Sequence, residues 1–172
     1  MSYKFNPFTG TFDEVNLPKT GWAQYMDTAY TSTSPFDIAD GSFVTLPNNA
    51  GSKIETYLPV GVTALYDSTA GKITPKAIGD YNTISIRFKA VASTSTTHLD
   101  FGIDIGGTPG VIFGDIKVFP KGAGVEHSFS ISCPGFSLGT FVANGGVVKL
   151  GASGGDIEVY NIEFQIVRIH SA

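Results

Sequence analysis

The chain has 172 residues and a mass of 18.2 kDa, one domain's worth of polypeptide and enough to bury a core without disulfides or metals. Charged residues are 15% of it, below the ~25% of an average soluble protein, while aromatics reach 12% and Gly, Ser and Thr together number 53, which excludes a disordered chain and a heptad coiled coil. The formal charge is −4 and the 11 Lys and Arg are scattered singly, so the basic stripe that a nucleic-acid-binding protein needs is missing and no nucleic-acid partner is expected.

Residues 1–20 read as an N-terminal arm. Phe5, Phe8 and Phe12 stand three and four apart, but Pro7 and Gly10 interrupt any helix between them. Asn6-Pro7 and Thr9-Gly10 are turn signals, and Pro18 closes the segment. Asp13 and Glu14, with Pro7 and Gly10, leave no apolar core for a signal peptide, so none is expected. The arm reads either as a strand laid on the domain or as a docking tag that orders on a partner.

From Trp22 on, Gly, Pro, Asn or Asp punctuates the chain every eight to twelve residues, the spacing of an all-β sandwich or barrel over 21–172. After Thr74, the run Pro75 to Ile78 reads as one short helical turn with proline at its first position. Ile84, Ile86 and Phe88 alternate with Ser85, Arg87 and Lys89; Leu99, Phe101, Ile103 and Ile105 alternate with Asp100, Gly102 and Asp104. Val125, His127, Phe129, Ile131 and Cys133 alternate with Glu126, Ser128, Ser130 and Ser132. Each run is a strand with one buried face. Turns fall at Gly106 to Gly110, at Gly145-Gly146 and at Ser153 to Gly155. The charge-free stretch from His127 to Val148 holds Pro134 and four glycines and is no bilayer helix, so membrane insertion is not expected. A convincing helix is nowhere evident.

The final segment, from Asp156, is β-branched enough to favour a strand over a helix. Ile157 and Val159 hold one parity; Ile162, Phe164 and Ile166 hold the other, and a bulge near Tyr160-Asn161 reconciles them. Val167 and Ile169 then face away from Phe164. A strand apolar on both faces is expected to be buried on both, between two sheets or between a sheet and another subunit.

An enzyme needs groups that titrate or attack, gathered in one cleft. His98 and Asp100 share a strand face after a Ser/Thr run and read as a solvated pair. Asp100, Asp104 and Asp115 match no calcium-loop spacing. Cys133 and His127 share the inward face but lie about 20 Å apart along a straight strand, too far for a nucleophile and its base. Cys133, the single cysteine, allows no internal disulfide and reads as a small buried hydrophobe; His127 reads as a core histidine with both ring nitrogens satisfied. No helix follows the glycines of 102–107, so they make no phosphate cradle, and Asp37 to Gly41 and Asp67 to Gly71 read as turns. Trp22, Tyr25, Tyr30, Tyr57, Tyr66, Tyr81 and Tyr160 offer faces that stack on sugar rings, yet read first as half-buried strand residues. No glycosidase carboxylate pair is recognisable. The expectation is a protein without catalytic residues, metal or cofactor.

Phe5-Asn6-Pro7-Phe8-Thr9-Gly10-Thr11-Phe12-Asp13 resembles a short N-terminal segment of tailed-bacteriophage structural proteins. Gly21-Trp22-Ala23-Gln24-Tyr25, Ile73-Thr74-Pro75 with Gly79-Asp80, Phe119-Pro120-Lys121-Gly122, Glu126-His127, Phe141 to Gly146 and Val167-Arg168-Ile169-His170 resemble a compact domain of phage fibre and head-decoration proteins. The resemblance implies a jelly-roll sandwich like that of the tumour-necrosis-factor family, typically trimeric. It implies a virion location, with a homotrimer docked on capsid, portal, neck or tail proteins through Phe5, Asn6, Pro7, Phe8 and Phe12. The double-faced final strand then puts Ile162, Phe164 and Ile166 at the trimer interface. The alternative is a tail-fibre module recognising host-surface carbohydrate. The shortness of the chain favours head decoration, since no shaft repeats precede the sandwich.

Overall fold

Period-two alternation survives intact where the sequence carries it most strongly. The computed structural model describes residues 3–8, 10–14 and 19–171. In chain order the elements are β1 (Tyr3–Asn6), β2 (Thr11–Glu14), β3 (Gly21–Met26), β4 (Phe36–Ile38), β5 (Phe43–Thr45), β6 (Ser52–Ile54), β7 (Tyr66–Asp67) and β8 (Lys72–Ile73). They continue with β9 (Tyr81–Ala92), β10 (His98–Asp104), β11 (Val111–Val118), β12 (Glu126–Phe136), α1 (Gly139–Asn144), β13 (Val147–Ser153) and β14 (Ile157–His170).

Two antiparallel sheets pack face to face. One runs β11-β10-β13-β5; the other runs β12-β9-β14-β3-β6, with β4 added beside β14. The chain changes sheet between β9 and β10, β11 and β12, β12 and β13, and β13 and β14. That is the jelly-roll sandwich, which pairs strands distant in sequence and leaves few open edges. The interior is filled from both inner faces: Ile84, Ile86 and Phe88 of β9, Ile131 and Cys133 of β12, and Ile162, Phe164 and Ile166 of β14 meet Leu99, Phe101 and Ile103 of β10 and Val148 and Leu150 of β13. Each Ile or Phe so buried contributes about 1.5–3 kcal/mol.

The bulge foreseen at Tyr160-Asn161 is present. The β14–β9 register shifts between Tyr160 and Glu163, and Asn161 takes a φ of 52°, left-handed backbone that asparagine tolerates. Its N–H donates to the Tyr30 carbonyl at 3.2 Å. The shift lets Ile157 and Val159 face the core on one parity and Ile162, Phe164 and Ile166 on the other.

Two local expectations fail. Pro75 to Ile78 makes a bend and a turn, with the Asp80 N–H donating to the Ala77 carbonyl, and no helical turn. Instead a short helix forms at α1, where the sequence carries no side-chain cap. Tertiary packing holds it: Phe141 is buried, and its ring lies so close over Gly146 that a Cβ there would sit 2.7 Å from it. Gly145, at φ 74°, ends the helix in the left-handed region.

Buried polar groups tie the connections to the sandwich. Arg168 on β14 bonds the fully buried Asp80 at 2.7 Å, and Asn82 donates to Ser137 Oγ at 3.0 Å. Tyr25 donates its hydroxyl to Glu55 and accepts from the Leu65 N–H at 2.9 Å, so one side chain fixes both ends of a long connection. Burial, with the Glu55 carboxylate beside it, pushes the Tyr25 phenol up to about 12.

Candidate functional site

The arm pairs with itself. β1 and β2 form a two-stranded sheet of their own, with Phe5 opposite Phe12 and Asn6 opposite Thr11. Pro7 and Phe8 lie in the turn, which closes at Gly10 with a φ of 68°. Pro7, which broke the helical reading, serves here as a turn residue. Phe8 is 96% exposed at the hairpin tip and Phe5 is 54% exposed. The sequence offers a strand laid on the domain or a docking tag that orders on a partner; among the described residues the arm's two strands pair with each other and with no strand of the sandwich. Thr9 and residues 15–18 lie outside the described residues.

The three residues assigned to a trimer interface are elsewhere than expected. Ile162, Phe164 and Ile166 are each 1% exposed within a single chain. Phe164 meets the Tyr66 ring edge-on at 5.2 Å, and Ile166 lies between Ile84 and Ala23 on the neighbouring strands. Their face closes against the second sheet, so they have no surface to offer another copy. Past the bulge, the outward residues of the same strand are Glu163, Gln165, Val167 and Ile169.

Those residues belong to an outer face ordered in cross-strand rows. Phe136, Tyr81 and His170 form the end row; Pro134, Thr83, Val167 and Trp22 the next; Ser132, Ser85, Gln165 and Gln24 the third. No formal charge enters until the fourth row, where Arg87 bonds Glu163 at 3.0 Å. Around the exposed His170, the apolar groups at this end are largely uncovered. Phe136 is 67% exposed with its ring centroid 4.8 Å from that of Tyr81, Ile169 is 49% exposed, and Trp22 stacks on Tyr57 at 4.9 Å. Leu138 and Ile78, close by in sequence to these strands' ends, are 66% and 64% exposed. The sequence reading missed Phe136, because the alternation ending at Cys133 runs into Pro134 and Gly135, which read as a stop; β12 continues through both.

The candidate chemical groups do not converge. His98 and Asp100 do share a face, but each has its own partner: His98 Nδ1 lies 3.2 Å from the Thr96 carbonyl, and Asp100 accepts from Ser153 Oγ at 2.9 Å. Asp104 bonds Lys149 at 3.0 Å and Asp115 pairs with Lys117, and among the described residues no three His, Cys, Asp or Glu gather as metal ligands. The Gly106 N–H and the Lys149 ammonium hold the Asp104 carboxyl below the usual carboxylate range. Cys133 is fully buried, its thiol pushed up to about 12 by that burial, with the Ile84 carbonyl 3.5 Å from Sγ. His127 is a core residue set edge-on against Phe119 at 5.5 Å, but its Nε2 takes no hydrogen bond among the described residues, so the expected satisfaction of both nitrogens is not met. Tyr25, Tyr66 and Tyr160 are buried, Tyr30 packs on Phe36, and Trp22 with Tyr57 and Tyr81 stand on the outer face. These seven rings make no single platform.

The sequence matches no family model and no curated protein. Among solved structures, the chain is similar to the Eiger TNF of S. frugiperda, with a TM-score of 0.52 at 11% identity over 90% of this chain and 95% of that one. It is also similar to the vertex protein P5 of PRD1 (TM-score 0.47, 15% identity, 91% of this chain and 100% of that one). A third likeness is to infectious bursal disease virus, Gt strain (TM-score 0.46, 10% identity, 98% of this chain and 36% of that one). At such identities a likeness speaks to fold, and the first of the three carries it: the sandwich is a tumour-necrosis-factor-like jelly roll.

Proposed function

We propose that this chain is a virion structural protein of a tailed bacteriophage, a homotrimeric head-decoration or head-fibre component that docks through its N-terminal hairpin. The observation that carries the reading is the outer face of the six-strand sheet. Three consecutive rows carry no formal charge, and they end in the exposed Phe136–Tyr81 pair. A soluble monomer covers such a surface with charge; a subunit covers it with a neighbour. The trimer contacts accordingly belong to Phe136, Tyr81, Val167, Ile169 and Trp22, in place of the inward residues of the same strand. The resemblance of residues 5–13 to phage N-terminal segments, and the hairpin that displays Phe8, support attachment to a larger particle.

One docked hairpin is weak. Burying a Phe contributes roughly 1.5–3 kcal/mol, and fixing ten residues costs on the order of 10 kcal/mol in backbone entropy. The β1–β2 pairing offsets part of that cost before docking. Three arms on one trimer then raise overall affinity by a factor of order 10²–10⁴. The test compares the chain with a variant lacking residues 1–17, added to phage particles made without this protein. Both should scatter light as trimers, the parent as three chains of 18.2 kDa and the variant as three of the shortened chain, and the truncated trimer should fail to decorate the particle. A single chain's mass at micromolar concentration overturns the trimer, and full decoration by the truncated protein overturns the arm.

A further inference from the structure

The opposite face of the sandwich carries a second, chemically different surface. Phe43 on the edge strand β5 is 41% exposed. Its ring reaches sideways over two neighbouring strands: a Cβ on Gly151 would sit 2.9 Å from its Cδ2, and one on Gly102 would sit 3.1 Å from its Cζ. Gly151 is the cross-strand partner of Phe43, and Gly102 lies one strand further, on β10. The two glycines make a floor on which the ring rests, and Val111 closes that floor from the other side, 2.7 Å from the same Gly102 position. The Lys149 ammonium stands 5.8 Å from the ring centroid and bonds Asp104 at 3.0 Å. That ion pair joins the ring to a shallow depression of about 330 Å³ lined by Lys72, Asp104, Gly106, Gly107, Asn144 and Val147.

The depression is small-molecule sized, at the lower end of the ~300–1,000 Å³ range of ligand clefts. Its polar groups are mixed in sense. Asp104 accepts from the Gly106 N–H at 2.8 Å and from Lys149. Asn144 commits its Nδ2 to the Ile105 carbonyl at 2.9 Å, and its amide oxygen takes no partner among the described residues. Gly106 and Gly107, at φ 67° and 63°, bring backbone to the rim without side chains over it. Lys149 pairs with Asp104, Lys72 lines the depression, and Asp100, which accepts from Ser153, stands beside Gly151 next to the Phe43 ring, so the formal charge of the patch balances and selects neither an anion nor a cation. A ligand matching an aromatic surface at one end and interleaved donors and acceptors at the other has an apolar face and many hydroxyls. We propose that this patch, with Phe43 as its stacking residue and Asp104, Asn144 and Lys149 as its polar contacts, is a binding site for a neutral pyranose glycan. It lies on the sheet opposite the face assigned to subunit contacts and is separate from the arm, so it stands or falls independently of the virion reading.

The probes are the β-1,4-linked tetraoses of glucose and of N-acetylglucosamine and a β-1,4-linked tetraose of galactose, each at millimolar concentration. Saturation-transfer NMR on the full chain should show transfer to ring C–H protons of at least one of them. Phe43→Ala should weaken that binding about tenfold or more, and Asn144→Ala severalfold. Phe43 is half-exposed at an edge, so the Phe43→Ala chain should melt with the parent, and a Phe43→Trp chain should bind at least as well as the parent. The chain without residues 1–17 should bind unchanged. No transfer to any of the three sugars overturns the proposal, as does equal transfer to the Phe43→Ala chain or retained binding that vanishes only when residues 1–17 are removed.

Discussion

Both sides of β14 carry apolar side chains, and only one side is sealed within the chain. Inward, Ile162, Phe164 and Ile166 are sealed between the sheets of one chain. Outward, Val167 and Ile169 run beside Trp22, Tyr81 and Phe136 toward an uncharged rim that one chain leaves open. An apolar pattern on both faces does not say which of them the chain itself covers. The difference lies in the strands that flank each face, and those strands come from distant parts of the sequence.

A charge placed on each side separates the two faces. Ile166→Asp puts an unpaired carboxylate into the interior, where a buried charge without a partner costs several kcal/mol. With the lost side chain, the cost is comparable to the whole ~5–15 kcal/mol stability of a domain. The expected outcome is loss of the folded chain, seen as loss of the cooperative melt, and not a folded monomer. Were Ile166→Asp to give a well-folded single chain by light scattering, the inward residues would be subunit contacts after all. Phe136→Glu is the outward counterpart. Its ring is 67% exposed, so the melting of an isolated subunit should move little, while a charge at the centre of an apolar contact should convert trimer to monomer at micromolar concentration. A Phe136→Glu chain that stays trimeric would move the interface elsewhere on the surface.

The fold was legible in the sequence to the extent that it rests on local alternation. Ile84, Ile86 and Phe88 point inward because each neighbour in the chain points out, and no distant partner is needed to see it. The bulge at Asn161 was legible too, because the parity of the apolar residues changes across it. Helix α1 was not: its stability comes from Phe141 settling over Gly146 and Gly135, contacts that the sequence of six residues does not encode. The candidate site was legible in its arm, where the clustered phenylalanines and the turn signals at Asn6-Pro7 and Thr9-Gly10 stand out, but not in the pairing of Phe5 with Phe12, because turn signals alone do not name the strands that meet across them. Ile162, Phe164 and Ile166 were not legible as core residues for the reason given above. Phe43 was invisible, since a lone Phe before a Val reads as core until Gly151 and Gly102, one and two strands away, prove to be its floor.

The smallest expected effect separates the two outer faces by their response to pH. On the Phe43 side, Asp104 is held below the usual carboxylate range by the Gly106 N–H first and by Lys149 second. Its folded form therefore binds a proton less readily than its unfolded form. The stability this supplies is present above the unfolded carboxylate value and is lost as pH falls through the lower, folded value. Asp104→Asn should remove that acid-side slope while leaving the melt near neutral pH within about 1 kcal/mol of the parent, since the ion pair is partly solvated, with a quarter of each side chain exposed. On the Phe136 side the three end rows carry no carboxylate, so the trimer's dissociation should be indifferent to Asp104→Asn across the same range. Melting curves and light scattering on the parent and Asp104→Asn chains between pH 3 and pH 7 read both quantities. Acid dissociation that Asp104→Asn abolishes would mean that the Phe43 face, and not the uncharged rim, holds the subunits together.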